Sequence, residues 1–187
     1  MDQSRKIKGF TLIELMVTVA IAAIVITVGI PMFTGMMDRN RLKGAAETLY
    51  ADLHYARIAS IKQNRPIRVS FNTAEGCYGL DDDLATACDC GATPAFCTVQ
   101  GVQKVVSNNE LRDVILAANF VDNDIVFDPV RGTLQNMEDN LRYVTFKSSD
   151  GKNDINVQVS FVGQTRKCTN SSSLWGYEKC PAEVASL

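Results

Sequence analysis

Residues 1–33 read MDQSRKIKGFTLIELMVTVAIAAIVITVGIPMF, a short hydrophilic segment joined directly to a long apolar one. A secretory signal peptide carries its small-residue cleavage site after the apolar stretch. Here the only small residue at the basic-to-apolar junction is Gly9, which lies before it. Processing at Gly9 therefore leaves the apolar segment in the product. From Leu15 to Met37 no side chain is charged, and a helix of that length reaches about 34 Å, enough for a bilayer core. Arg5, Lys6 and Lys8 precede the segment, so the positive-inside rule keeps residues 1–9 cytoplasmic and sends the rest out.

Glu14 alone breaks the apolar pattern. A carboxylate entering hydrocarbon costs about 2.5–3.5 kcal/mol on insertion scales, so it requires a partner. Cleavage after Gly9 creates one, the α-amino group of Phe10, which can meet Glu14 of a neighbouring subunit and set the register between the two chains. The plainer alternative is a glutamate that snorkels at the membrane interface and has no role in assembly.

The stretch KGFTLIELM, residues 8–16, resembles the class III leader of type IV pilins and type II secretion pseudopilins. The resemblance implies that a prepilin peptidase cuts between Gly9 and Phe10 and methylates the new amine of Phe10, and that Glu14 is needed for assembly. Methylation leaves the amine able to carry charge, so pairing with Glu14 survives it. Implied partners are other minor and major pilins, the prepilin peptidase, the inner-membrane assembly platform and, before assembly, the inner membrane itself. The implied location is a single-pass inner-membrane protein with a periplasmic carboxy-terminal domain, extracellular once assembled into a pilus.

Gly29 and Pro31 predict a bend or local melting of the helix without ending it. Beyond them Leu42, Ala45, Ala46, Leu49, Leu53, Ala56 and Ser60 recur at three- and four-residue spacing, while Arg41, Lys43, Glu47, Asp52 and Arg57 fall largely elsewhere. This pattern is an amphipathic helix docked on a domain. Pro66 supplies the stop, giving one helix from about Thr11 to Gln63. The chain thus divides into a leader (1–9), a transmembrane or filament-core helix (10–37), the amphipathic second half (38–65) and a globular domain (66–187).

That domain reads as strands at 67–72, 76–80, 102–106, 113–117, 125–127, 141–147 and 155–161. In the last, Ile155, Val157, Val159 and Phe161 face a core, with Asn156, Gln158 and Ser160 opposite. Asp150-Gly151 marks the turn before it. Residues 81–101, rich in Asp, Ala, Thr and Cys, read as an inserted loop fixed by disulfides. The expected fold class is α+β, a long amino-terminal helix packed on an antiparallel sheet.

Three stretches of the domain resemble the FimT, FimU and GspH group of minor pilins and pseudopilins. They are LHYARIASIKQNRPIRVSF (53–71), IVFDPVRGTL (125–134) and INVQVSFVGQTRKC (155–168), the last a final strand running into a Gly-x-x-Arg corner. The resemblance implies the type IV pilin fold. It also implies a structural minor pilin that helps initiate pilus assembly at the tip, or else a GspH-like pseudopilin of a type II secretion system. A third reading is DNA capture, because FimT-type members carry a Gly-Arg-x-Arg motif. Here Gln164 replaces its first arginine, leaving Arg166 and Lys167 as a weak two-charge patch.

With 187 residues, 46% of them hydrophobic and 21% charged, the chain can bury one core. Its net charge of −2, about −4 without the leader, offers no basic field for nucleic acid. The even set Cys77, Cys88, Cys90, Cys97, Cys168 and Cys180 in an exported chain reads as disulfides. Six cysteines leave fifteen pairings open. Cys168 with Cys180 stands apart from the other four and is the expected pair, closing a short carboxy-terminal loop. Zinc on Cys77, Cys88, Cys90 and Cys97 lacks the usual CxxC spacing. Calcium on Asp81-Asp82-Asp83 lacks the spaced pattern of a dedicated loop, so a solvated turn is favoured. His54, the sole histidine, has no evident partner for base catalysis. No nucleophile, phosphate loop or metal triad stands out, and neither an enzyme nor a cofactor or metal is called for.

Overall fold

The computed structural model describes residues 9–86, 88–92, 95–112, 114–120, 122–135, 141–172 and 174–181, with only the backbone of 28–32. The leader residues 1–8 therefore lie outside the described residues. Two compact units are present, Met1–Met37 and Asp38–Leu187.

Helix α1 (Leu12–Gln63) runs unbroken past Gly29 and Pro31. In the first unit every described side chain from Phe10 to Thr27 and from Phe33 to Met37 is exposed. Among the described residues no helical stretch is long and apolar enough to cross a membrane. The side chains of 28–32, in the middle of the expected span, lie outside them.

In the second unit the stripe Leu42, Ala45, Ala46, Leu49, Leu53, Ala56 and Ser60 is fully covered, joined by Ala59. The 3.6-residue period brings these positions onto one face, and that face is the helix's contribution to the core. Asn64 takes a left-handed conformation with φ 49°. Its N–H donates to the Ile61 carbonyl and the Arg65 N–H to that of Ser60, the paired bonds of a Schellman cap. Pro66 follows, so the chain turns immediately into the first strand.

The strands form two main sheets. One, in the order β5-β2-β1-β7, contains β1 (Ile67–Asn72), β2 (Cys77–Asp81), β5 (Val105–Val106) and β7 (Asp124–Phe127). The other, β11-β10-β9-β8-β6, contains β6 (Val114–Ala118), β8 (Leu141–Ser148), β9 (Asp154–Ser160), β10 (Thr165–Thr169) and β11 (Glu178–Lys179). A small hairpin, β3 (Thr98–Val99) with β4 (Val102–Gln103), and a single-turn helix α2 (Asn108–Leu111) complete the described elements. The pairings are antiparallel except β10 with β11. Ile67, Val69, Ile125 and Phe127 from the first sheet meet Val144, Phe146, Ile155 and Val157 from the second in one core with the helix stripe.

Several expectations need correction. Residues 102–106 are two strands in different sheets, split where the Lys104 N–H turns to the Cys97 carbonyl. The stretch after Gly163 is a full strand, β10, returning along β9 rather than a corner ending a final strand. Phe161 lies past β9 and is 51% exposed, so the alternation stops at Val159. Asn156 and Gln158, on the supposedly outer face, are buried. A second, smaller cluster of Tyr143, Cys168 and Cys180 covers them. Their amides find partners there, Gln158 Nε2 at 3.0 Å from Cys168 Sγ and Asn156 Oδ1 accepting from the Thr145 hydroxyl.

Three disulfides close, Cys77–Cys90, Cys88–Cys97 and Cys168–Cys180. The Cys88–Cys97 bridge lies over Gly79, where an added Cβ would stand 2.4 Å from Cys97 Sγ and 2.6 Å from Cys88 Sγ. The Cys77–Cys90 bridge ties the 81–101 insertion to the start of β2. Within it Asp81, Asp82 and Asp83 accept backbone N–H groups of Asp83, Gln100 and Ala85, the bonding of a polar turn.

Candidate functional site: the amino-terminal segment and the carboxy-terminal face

Gly9 and Phe10 precede α1 and are exposed, Phe10 at 79%. Thr11 then caps the helix, its hydroxyl accepting the Glu14 N–H at 3.3 Å. Thr11-Leu12-Ile13-Glu14 is the Thr-x-x-Glu signature of a capping box. Thr11 is a functional position legible in this four-residue pattern and absent from the expected site residues. Glu14 thus occupies the first turn, where its charge faces the positive end of the helix dipole. Around it Leu12, Ile13, Leu15 and Met16 are all more than half exposed, an apolar surface lacking cover.

In the second unit the three resembling stretches converge on Arg57. Its Nη1 donates to the Gly163 carbonyl at 3.0 Å, and its aliphatic stem runs over Gly132 and Gly163. These glycines have φ of 63° and 72°. A Cβ on Gly163 would stand 2.2 Å from the Gly132 carbonyl oxygen, and one on Gly132 would stand 2.8 Å from Ile61 Cδ1. Asp128 organises the turn before Gly132, accepting from the N–H groups of Val130 and Arg131. Those bonds hold its carboxyl below the usual carboxylate range. The Leu134 N–H to the Phe161 carbonyl then ties the two loops together. The motif glycines are there so that two loops and a helix can touch.

Arg166 and Lys167, expected as one cationic patch, leave β10 on opposite faces, as neighbours on a strand must. Arg166 is exposed on the outer face. Lys167 turns inward to α1, where Nζ lies 2.6 Å from Glu47 Oε2 and 4.2 Å from the Tyr50 ring centroid. That bond holds the Glu47 carboxyl below its ordinary range despite partial burial. Glu47 also accepts from the Tyr177 hydroxyl at 2.9 Å, and burial, followed by this contact, pushes Tyr177 up to about 12. Lys43 reaches the Trp175 carbonyl at 3.2 Å, and His54 packs against Tyr50 with centroids 4.6 Å apart. The loop closed by Cys168–Cys180 is thereby fastened to the helix. Among the described residues no cluster of three or more His, Cys, Asp or Glu is placed to hold a metal.

Comparison with known proteins agrees with this layout. Residues 4–30 match the prokaryotic N-terminal methylation motif. Residues 45–163, more than half of the chain, match the family described as type II transport protein GspH. No curated protein matches the sequence. The fold is similar to the crystal structure of the type IV minor pilin FimU of Pseudomonas aeruginosa, with a TM-score of 0.50 and 19% identity over 70% of this chain and 90% of that one. It is also similar to the minor pseudopilin EpsH from the type 2 secretion system of Vibrio cholerae, with a TM-score of 0.50 and 10% identity over 69% and 97% of the two chains. A long helix packed on antiparallel sheets, behind a methylation motif, is the type IV pilin architecture, and the chain belongs to the GspH family of pilin-like subunits.

Proposed function

We propose that this chain is a structural minor pilin, cut by a prepilin peptidase between Gly9 and Phe10, that helps to prime a type IV pilus at its tip. The observation that carries the proposal is the amino-terminal segment. A methylation motif runs directly into a helix whose described apolar side chains up to Met37 are all exposed, with Glu14 the only charge among them. Such a surface is costly in water, and it is satisfied first by the inner membrane and then by like helices in a filament. The α-amino group of Phe10 neutralises Glu14 of the adjoining subunit. The globular domain is then periplasmic, where its three disulfides are stable.

Two measurements test this. Mass spectrometry of the protein isolated from its host is expected to find a chain that starts at methylated Phe10. Electron microscopy of strains carrying Glu14→Ala, or lacking the gene, is expected to show few or no pili. Normal piliation in both strains would sink the priming role. The match to a type II transport family supports a second reading, a pseudopilin. In that case piliation is normal and secretion of exoproteins stops. The DNA-capture reading is weakened by the engagement of Lys167 with Glu47, because a cation already paired releases few counterions from phosphate.

A further inference from the structure

The sequence contains a single tryptophan, Trp175, and it is 86% exposed. An indole is among the largest apolar surfaces a side chain offers, and folding normally covers it. Trp175 is left open although the loop around it is fastened on every side. The Cys168–Cys180 bridge closes the loop, Lys43 holds the Trp175 carbonyl, and Glu47 holds the Tyr177 hydroxyl two residues on. The main chain that carries the indole is thus tied down before any ligand arrives, which lowers the ordering cost of binding.

Trp175 borders an open cleft of about 580 Å3, lined also by Tyr50, Tyr177 and the charged Lys43, Glu47, Arg166, Lys167 and Glu178. That volume falls within the range of small-ligand sites. The lining is aromatic and polar, and its three cations stand against two carboxylates. Lys167 is paired with Glu47 at 2.6 Å, and Lys43 is held by a main-chain carbonyl. A polyanion finds a net of only one positive charge there, whereas a ligand with one apolar face and a rim of neutral hydroxyls finds both surfaces it needs.

We infer that this cleft binds a neutral saccharide chain, with a sugar ring stacked by its C–H face on Trp175 and its hydroxyls bonded to the polar wall. This goes beyond the assembly role and does not depend on it. The lone tryptophan makes the test direct. Full-length protein in detergent is titrated with cellohexaose, chitohexaose and maltohexaose while Trp175 emission is followed. At least one hexasaccharide is expected to change the emission saturably, with little dependence on salt. By calorimetry Trp175→Ala is expected to weaken that binding at least tenfold. Phe96→Ala, at an exposed aromatic outside the cleft lining, is expected to leave it unchanged. No response to any of the three sugars overturns the proposal, as does binding that survives Trp175→Ala. A salt-sensitive response to oligothymidylate in place of sugar also overturns it, and would assign the cleft to single-stranded nucleic acid.

Discussion

Gly163 shows how much a single position can decide. Alanine there must adopt φ near 72° and place a methyl group against the Gly132 carbonyl, so two penalties add. Gly163→Ala is expected to lower the unfolding free energy by about 3 kcal/mol, read as a fall in the urea midpoint. Gly101→Ala, also at positive φ but with open space around it, is expected to cost only the conformational part, about 1 kcal/mol. At Asp52 the effect depends on pH. Its carboxyl accepts from the buried Tyr78 hydroxyl at 2.8 Å. Burial outweighs that bond and raises its pKa, while burial and the adjoining carboxylate push Tyr78 far up. A carboxyl whose folded pKa is raised stabilises most when protonated, below its unfolded value of about 4. That contribution is lost as pH rises through the folded value. Asp52→Asn is expected to flatten this part of the stability profile above pH 4, measured as urea midpoints across a pH series. An unchanged profile would show that Asp52 titrates normally. Neither position stands out in the sequence. Gly163 looks like any turn glycine, and Asp52 looks like one more charge off the apolar stripe.

At the scale of elements, legibility followed periodicity. The stripe from Leu42 to Ser60 is buried as its spacing implies, because a helix's repeat is set locally by the backbone. The strands at 67–72 and 141–147 are nearly coextensive with β1 and β8. The inner alternation of β9 was visible through Val159, but its outer face misleads. Asn156 and Gln158 are polar, yet a segment arriving from residues 168–180 covers them, and no local pattern announces a cover folded in from elsewhere. The same cause hides the opposite facing of Arg166 and Lys167, which depends on residues 165–169 being a strand. If the Cys168–Cys180 bridge holds that cover in place, breaking it must act first on the outer face of the sheet. The Cys168→Ala, Cys180→Ala double variant is expected to lose about 3 kcal/mol, the loop-closure value for a loop of this size. Hydrogen exchange is expected to accelerate at Asn156 and Gln158 but not in α1. Uniform acceleration would mean that the bridge supports the whole domain rather than its outer layer.

The whole molecule joins two units with opposite relations to solvent. From Asp38 onward the chain closes its own core from the helix stripe and both sheets, with the disulfides in two smaller clusters beside it. Before that point its described apolar side chains are exposed, so they add nothing to a hydrophobic core and create a demand for lipid, detergent or other helices. Folding and assembly are therefore separable. A fragment spanning 38–187, expressed under oxidising conditions, is expected to be a soluble monomer that melts within a few degrees of the full chain in detergent, compared by circular dichroism and sedimentation. The full chain without detergent is expected to associate through residues 10–37. Thr11 and Glu14 then distinguish the two purposes of the amino terminus. Thr11→Ala removes the cap and is expected to fray the first turn at a cost of about 1 kcal/mol while leaving assembly intact. Glu14→Gln keeps the residue's size and removes the charge, and under the proposed pairing it abolishes incorporation into filaments. Equal loss of incorporation in both variants would mean that Glu14 acts through the capped helix end, and pairing with the Phe10 amine would have to be abandoned.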